Sequence, residues 1–141
     1  MRKIIVLCLL LSTLGVRADG ASARKYGEFL IAHRGMVYEL SYMGIPVLCG
    51  NYSFVKNDEL RMFVMYNETE VVVFYAFTQA PVFRHEFNMP QENLPFIIFE
   101  KDEETEGRYD LKILPDNSPE IVVGTFCVID GCTYRYGLTP L

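Results

Sequence analysis

The segment Leu60–Thr78, LRMFVMYNETEVVVFYAFT, sets the fold class. Two runs of aromatic and β-branched residues flank the polar sequence from Asn67 to Glu70. Runs of this composition are typical of strands, and Asn with neighbouring polar residues is typical of a turn. The segment therefore predicts a β-hairpin.

The two strands of this hairpin carry apolar residues on both faces. In the first strand, Met62 and Val64 alternate with Phe63 and Met65, and the second strand is apolar throughout. A strand pair that is apolar on both faces needs two covers, of which the protein core is one. The second is the N-terminal segment or another sheet, or else a ligand, a partner chain or a second copy of the protein. Under the partner hypothesis, Phe63 and Met65 are candidate binding residues.

The rest of the chain repeats this pattern of short apolar runs between turn sequences. Arg108–Leu114 alternates strictly, which predicts one buried and one solvated face. The whole pattern predicts an all-β fold, a single antiparallel β-sandwich or β-barrel of about eight to nine strands. Ala21–His33 fits either a short N-terminal helix or a first strand. The predicted strands are Val37–Met43, Val47–Val55, Leu60–Tyr66, Val71–Thr78, Val82–Phe87, Phe96–Lys101, Arg108–Leu114, Glu120–Val128 and Cys132–Gly137.

The first eighteen residues have the three parts of a secretory signal peptide. Arg2 and Lys3 are followed by the apolar run Ile4–Leu14, and Ala18 supplies a small residue at the cleavage position. We therefore expect a protein secreted to the extracellular space, with 19–141 as a single β-rich domain. The apolar run is shorter than the roughly 20 residues that span a bilayer, so no stable membrane insertion is expected.

The charge of the chain bears on its partners. Removal of residues 1–18 takes away three basic residues and no acidic one, which changes the formal net charge from −5 to −8. A nucleic-acid partner requires a basic surface, so none is expected. The five carboxylates between Glu100 and Glu106 lack the ligand spacing of a calcium loop, and the chain lacks the usual catalytic and cofactor motifs. We expect neither an enzyme nor a bound metal or cofactor.

Two sequons are present, at Asn51 and Asn67, and both are candidate glycosylation sites in a secreted protein. Asn67 is the better candidate because it lies in the predicted turn.

The histidine His85 alternates with two phenylalanines in the sequence VFRHEF. Phe83, His85 and Phe87 should share one face and point inward. An inward histidine is more often a core residue with one hydrogen-bond partner than a catalytic base. The same residues, with Tyr109, are candidates for lining a cavity for a small apolar ligand.

Three cysteines remain after signal cleavage: Cys49, Cys127 and Cys132. A two-residue turn at Asp130-Gly131 makes Cys127 and Cys132 diagonal neighbours about 7–8 Å apart, at or beyond the limit for a disulfide. Only a four-residue loop would place them directly opposite. Bridging Cys49 to Cys132 or Cys127 is the preferred pairing, and Cys127 with Cys132 is the alternative.

The function expected from the sequence is that of a secreted acidic β-domain glycoprotein that binds an extracellular protein and does no chemistry. The alternative is a carrier of a small apolar ligand in a β-barrel cavity, and an extracellular enzyme is a remote alternative.

Overall fold

The computed structural model describes residues 21–141, so the predicted signal peptide lies outside the described residues. These residues form thirteen strands and no helix. The strands are β1 (Ala21–Tyr26), β2 (Phe29–Arg34), β3 (Val37–Tyr42), β4 (Ile45–Asn51), β5 (Ser53–Asn57), β6 (Met62–Tyr66), β7 (Glu70–Tyr75), β8 (Phe83–Glu86), β9 (Phe96–Lys101), β10 (Arg108–Leu114), β11 (Ile121–Ile129), β12 (Cys132–Arg135) and β13 (Thr139–Pro140).

The prediction of an all-β antiparallel fold is confirmed, but the predicted count of eight to nine strands is wrong. Three antiparallel sheets contain four, five and four strands, and the described strands close into no barrel. The N-terminal helix alternative is also wrong, because β1 and β2 form a hairpin there. Tyr26 pairs with Phe29 across a two-residue turn whose first residue, Gly27, has φ +60°. Glycine adopts this backbone conformation without strain, so the turn interrupts any helix.

The chain divides into two compact units, one ending at Ser53 and the other beginning at Phe54. The first contains one sheet in the order β1-β2-β3-β4. Each strand pairs with the next through a two-residue turn. Three side chains of this sheet are fully buried: Phe29, Ile31 and Leu40. The single domain expected for 19–141 stays a prediction.

The second unit contains two sheets, in the orders β5-β6-β7-β8 and β13-β12-β11-β10-β9. One face of β6 and β7 and one face of β10 and β11 contribute to a single hydrophobic cluster. The alternation along β10 is as predicted, since Leu111 and Ile113 are fully buried while Asp110 and Lys112 are partly exposed. The buried members of the cluster are Leu60, Met62, Val64, Val71, Val73, Leu111, Ile113 and Phe126.

A buried hydrogen bond joins the C-terminal hairpin of the second unit to the turn before β6. The Thr133 hydroxyl donates to the main-chain carbonyl of Leu60 at 2.9 Å. Leu60 is fully buried and Thr133 is 4% exposed. The bond satisfies two polar groups that water cannot reach.

Candidate functional site

The two residues expected to bind a partner lie in the interior. Phe63 and Met65 are both 0% exposed, and their neighbours Val72 and Phe74 on β7 are 1% exposed. The Phe63 ring stacks on Phe74 with centroids 5.2 Å apart and also contacts Phe54 at 5.7 Å. The hairpin therefore has two covered faces. Phe63 and Met65 are therefore not exposed for a partner as the sequence predicted, and a homo-oligomer through the Leu60–Thr78 hairpin stays a prediction.

The aromatic residues proposed for a ligand cavity have packing partners within the second unit. Phe83, Phe87 and Tyr109 are partly buried and pack against its hydrophobic cluster. The His85 ring meets Phe87 edge to face, with centroids 5.1 Å apart. A role for these four residues in lining a ligand cavity stays a prediction.

Tyr109 also contributes a polar contact at the margin of the core. Its pKa is raised above the ordinary value near 10. The largest cause is a side-chain hydrogen bond to Glu59, followed by burial and by the negative charge of Glu59, while a bond to Asn57 acts in the opposite direction. The protonated hydroxyl is thus the form that the folded chain prefers.

The two sequons differ in their surroundings. Asn67 occupies the turn between β6 and β7, where its side-chain oxygen accepts hydrogen bonds from the Thr69 amide at 2.9 Å, the Thr69 hydroxyl at 2.8 Å and the Glu70 amide at 3.0 Å. Asn51 is the exposed last residue of β4. The turn predicted for Asn67 is confirmed, and glycosylation at either asparagine stays a prediction.

The hairpin of β11 and β12 has a two-residue turn, one of the two loop lengths that the sequence left open. Asp130 and Gly131 have φ values of +52° and +76°, as a type I′ turn requires. Ile129 pairs with Cys132, and Cys127 pairs with Tyr134. Cys127 and Cys132 are therefore diagonal neighbours, and both carry free thiols. Neither the preferred bridge from Cys49 to one of them nor the alternative bridge between them is formed.

One surface of the second unit was not singled out from the sequence: the outer edge of β9. This strand is the last of the five-stranded sheet and pairs only with β10 among the described strands. Its side chains alternate, since Ile97 and Phe99 pack against the hydrophobic cluster. Phe96 and Ile98 point to the outer face, where they are 72% and 38% exposed.

The main-chain hydrogen bonds show which groups of β9 face outward. The register pairs Tyr109 with Lys101, and the amide of Asp102 donates to the carbonyl of Arg108 at 2.8 Å. In an antiparallel pair, residues bonded to the partner strand alternate with residues whose N–H and C=O point away. The main-chain groups of Ile97, Phe99 and Lys101 therefore point to the open edge.

The first four residues of this edge strand lack the features that usually protect the edge of a sheet. Proteins discourage further strand pairing with charged residues, prolines, short strands and bulges. Phe96 to Phe99 contain no charge and no proline, and the two charged residues of β9, Glu100 and Lys101, are its last two. The other edge strands carry basic residues in β1 (Arg24, Lys25), prolines in β4 and β13 (Pro46, Pro140), a lysine in β5 (Lys56) and charged residues in β8 (Arg84, Glu86).

Both ends of β9 have a defined environment. Before it, Gln91 is buried, and its side-chain oxygen accepts hydrogen bonds from the amides of Asp116 at 2.8 Å and Asn117 at 3.3 Å. After it, a depression of about 530 Å³ lies over the outer face of the sheet. Five carboxylate residues line this depression, with two basic ones: Glu100, Asp102, Glu103, Glu104, Asp110, Lys101 and Arg108.

Some of these carboxylates are engaged and others are not. Lys112 contacts Glu100 at 3.3 Å, and Arg108 approaches Asp102 at 3.9 Å. Glu103 and Glu104 are exposed, and neither forms an ion pair within residues 21–141. The C-terminal end of β9 therefore presents unneutralised negative charge.

Within the described residues, no group of three or more His, Cys, Asp or Glu side chains is arranged to hold a metal ion. The same part of the chain contains no helix long and apolar enough to cross a membrane. Comparison of the chain with family models, with curated proteins and with solved structures finds no match.

Proposed function

We propose that the protein is a secreted, glycosylated and non-enzymatic binding module whose second unit is a β-sandwich. It recognises an extracellular protein by strand addition at β9. The observation that supports this proposal most directly is the open edge of β9, whose first four residues carry no charge and no proline and whose outer face is apolar and exposed.

Strand addition suits this edge for two reasons. The outward main-chain groups of Ile97, Phe99 and Lys101 offer hydrogen bonds to an added strand, which supply affinity without regard to sequence. The exposed side chains of Phe96 and Ile98 contact alternate residues of that strand and supply selectivity.

The test replaces Ile98 by lysine, which places a charge at the edge while leaving the core side chains in place. Val122→Lys is the matched control. Val122 lies in the same cross-strand row, because Ile98 pairs with Lys112 and Lys112 pairs with Val122, and it is 58% exposed on the same face. Val122 lies on β11, so both β10 and β9 stand between it and the open edge.

The immobilised protein is exposed to the extracellular fluid in which it is secreted, and captured proteins are identified. We expect the wild type and Val122→Lys to capture the same protein and Ile98→Lys to lose it, with all three folded by circular dichroism. Equal capture by the two lysine variants, or no capture by the wild type, would refute the proposal.

A further inference from the structure

The charge around β9 indicates which kind of strand would be added there. We infer that the partner segment is extended, runs antiparallel to β9, and carries basic residues at its N-terminal end followed by apolar residues at alternate positions. This inference rests on the proposed function and names the chemistry of its partner.

The direction follows from the sheet itself. Every pairing in the sheet of β9 to β13 is antiparallel. Antiparallel pairs have straight hydrogen bonds and are slightly more stable per residue than parallel pairs. The N-terminal end of an antiparallel segment lies beside the C-terminal end of β9, at Glu100 and Lys101.

The charge of the segment follows from the surroundings of that end. A residue opposite Glu100 places its side chain on the outer face, above the carboxylate-lined depression. The chain is acidic overall, and Glu103 and Glu104 have no ion-pair partner in the described part. Lysine or arginine is the complementary side chain there.

The other end of β9 calls for apolar side chains. Residues opposite Ile98 and Phe96 also point to the outer face, where these two side chains are exposed. Cross-strand pairs between aromatic and β-branched residues stabilise such a position. Read from its N-terminus, the segment that fits therefore has seven residues: basic at the first and third positions, apolar at the fifth and seventh, and any type at the positions between them.

A second copy of this chain is a poorer occupant. Its own β9 has the apolar residues first and the charged residues last, and those charges include Glu100. Antiparallel self-pairing would place an apolar residue rather than a basic one opposite the carboxylates. The net negative charge of the chain also opposes close approach of two copies.

Three synthetic peptides with blocked termini test the inference. KTKTVTV has the inferred pattern, VTVTKTK has the same composition in reverse order, and ETETVTV reverses the charge. Binding to the full-length secreted protein is followed by amide hydrogen exchange and by nuclear magnetic resonance titration at low salt and at about 0.5 M salt.

We expect KTKTVTV to bind about fivefold or more tightly than either other peptide at low salt, as two exposed ion pairs allow, and this preference to shrink at high salt. Binding should slow exchange at the amides of Ile97, Phe99 and Lys101. The double variant Glu103→Gln/Glu104→Gln should lose the preference. The matched variant Glu68→Gln/Glu120→Gln, which removes the same charge from exposed sites elsewhere, should keep it.

Each other outcome overturns a stated part of the inference. Tighter binding of VTVTKTK overturns the antiparallel direction, and equal binding of ETETVTV overturns the basic partner. If no peptide protects the β9 amides while Ile98→Lys still abolishes capture of the natural partner, the partner chemistry is wrong and the proposed function stands. If Ile98→Lys has no effect on capture of the natural partner, both the proposed function and the inference about its partner are wrong.

Discussion

The hydrogen bond from Thr133 to Leu60 provides a quantitative test of how burial determines the contribution of a polar contact to the free energy of unfolding. Thr133→Val removes the hydroxyl and keeps the β-branched shape and nearly the same volume. The Leu60 carbonyl, on a fully buried residue, is left without its partner and without access to water. An unsatisfied buried polar group costs about 1–3 kcal/mol, so we expect the free energy of unfolding to fall by about 2 kcal/mol.

The same substitution at Thr125 is the matched control. The Thr125 hydroxyl donates to the Asp110 carboxylate at 2.6 Å across β10 and β11, on the outer face of the same sheet. This bond is shorter and has a charged acceptor, so distance and charge alone would make it the stronger of the two. Thr125 and Asp110 are partly exposed, however, so water replaces the lost Thr125 hydroxyl as a partner of the carboxylate. We expect Thr125→Val to cost less than about 1 kcal/mol.

Equilibrium urea unfolding of the wild type and the two variants measures both free energies. The slope with urea should be the same for all three, because the surface exposed on unfolding is unchanged. A loss for Thr125→Val that equals or exceeds the loss for Thr133→Val would refute the argument that burial decides the outcome.

Two further predictions concern the interior and the pH dependence. Met65→Glu places a charge at a fully buried position and should unfold the chain or lower its free energy of unfolding by more than about 4 kcal/mol. The control Met43→Glu, at a side chain that is 70% exposed, should change the free energy of unfolding by less than about 0.5 kcal/mol. Thermal unfolding by circular dichroism measures both, and a stable Met65→Glu variant would contradict the burial of that face. The raised pKa of Tyr109 means that the folded state holds the phenolic proton more tightly than the unfolded chain. The stabilisation from the Tyr109 hydroxyl is therefore complete below about pH 10 and is lost as pH rises through the pKa of the folded state. The stability difference between wild type and Tyr109→Phe should therefore stay constant up to about pH 10 and decrease at higher pH in urea unfolding, and a difference that stays constant above about pH 10 would contradict this assignment.

Local sequence signals were sufficient for several elements of the fold. The predicted bounds of Phe96–Lys101 and Arg108–Leu114 agree with β9 and β10, because polar turn residues border both strands and the second alternates strictly. The Asp130-Gly131 turn was also recognised, since Asp-Gly favours the positive φ values of a type I′ turn, although the sequence left two-residue and four-residue loops open.

Other elements depend on contacts that no local pattern specifies. The predicted strand Val47–Val55 is two strands, β4 and β5, which are separated by Tyr52. Tyr52 is buried, and its amide donates to the carbonyl of Met36 rather than to a strand partner. The β1–β2 turn was missed because Gly27-Glu28 carries a weaker turn signal than Asp-Gly.

The candidate site illustrates the same limit. Alternation in Phe96–Lys101 shows that Ile97 and Phe99 share one face, but it contains no information on which strands lie beside β9. The order of strands in a sheet comes from packing between distant parts of the chain, and that order makes β9 an edge. For the same reason, the two apolar faces of the Leu60–Thr78 hairpin were recognised while the interior position of Phe63 was not.

The turns of the first unit have a consequence for biosynthesis. Each strand of its sheet pairs with the next across two residues, and an isolated hairpin forms in roughly 1–10 µs. The bond from Thr133 to Leu60, in contrast, joins residues 73 positions apart. At about 5–20 residues per second, a ribosome needs roughly 4 to 18 seconds to synthesise the chain beyond Ser53. The hairpins of the first sheet therefore have time to form while the strands that complete the second unit have not yet been made.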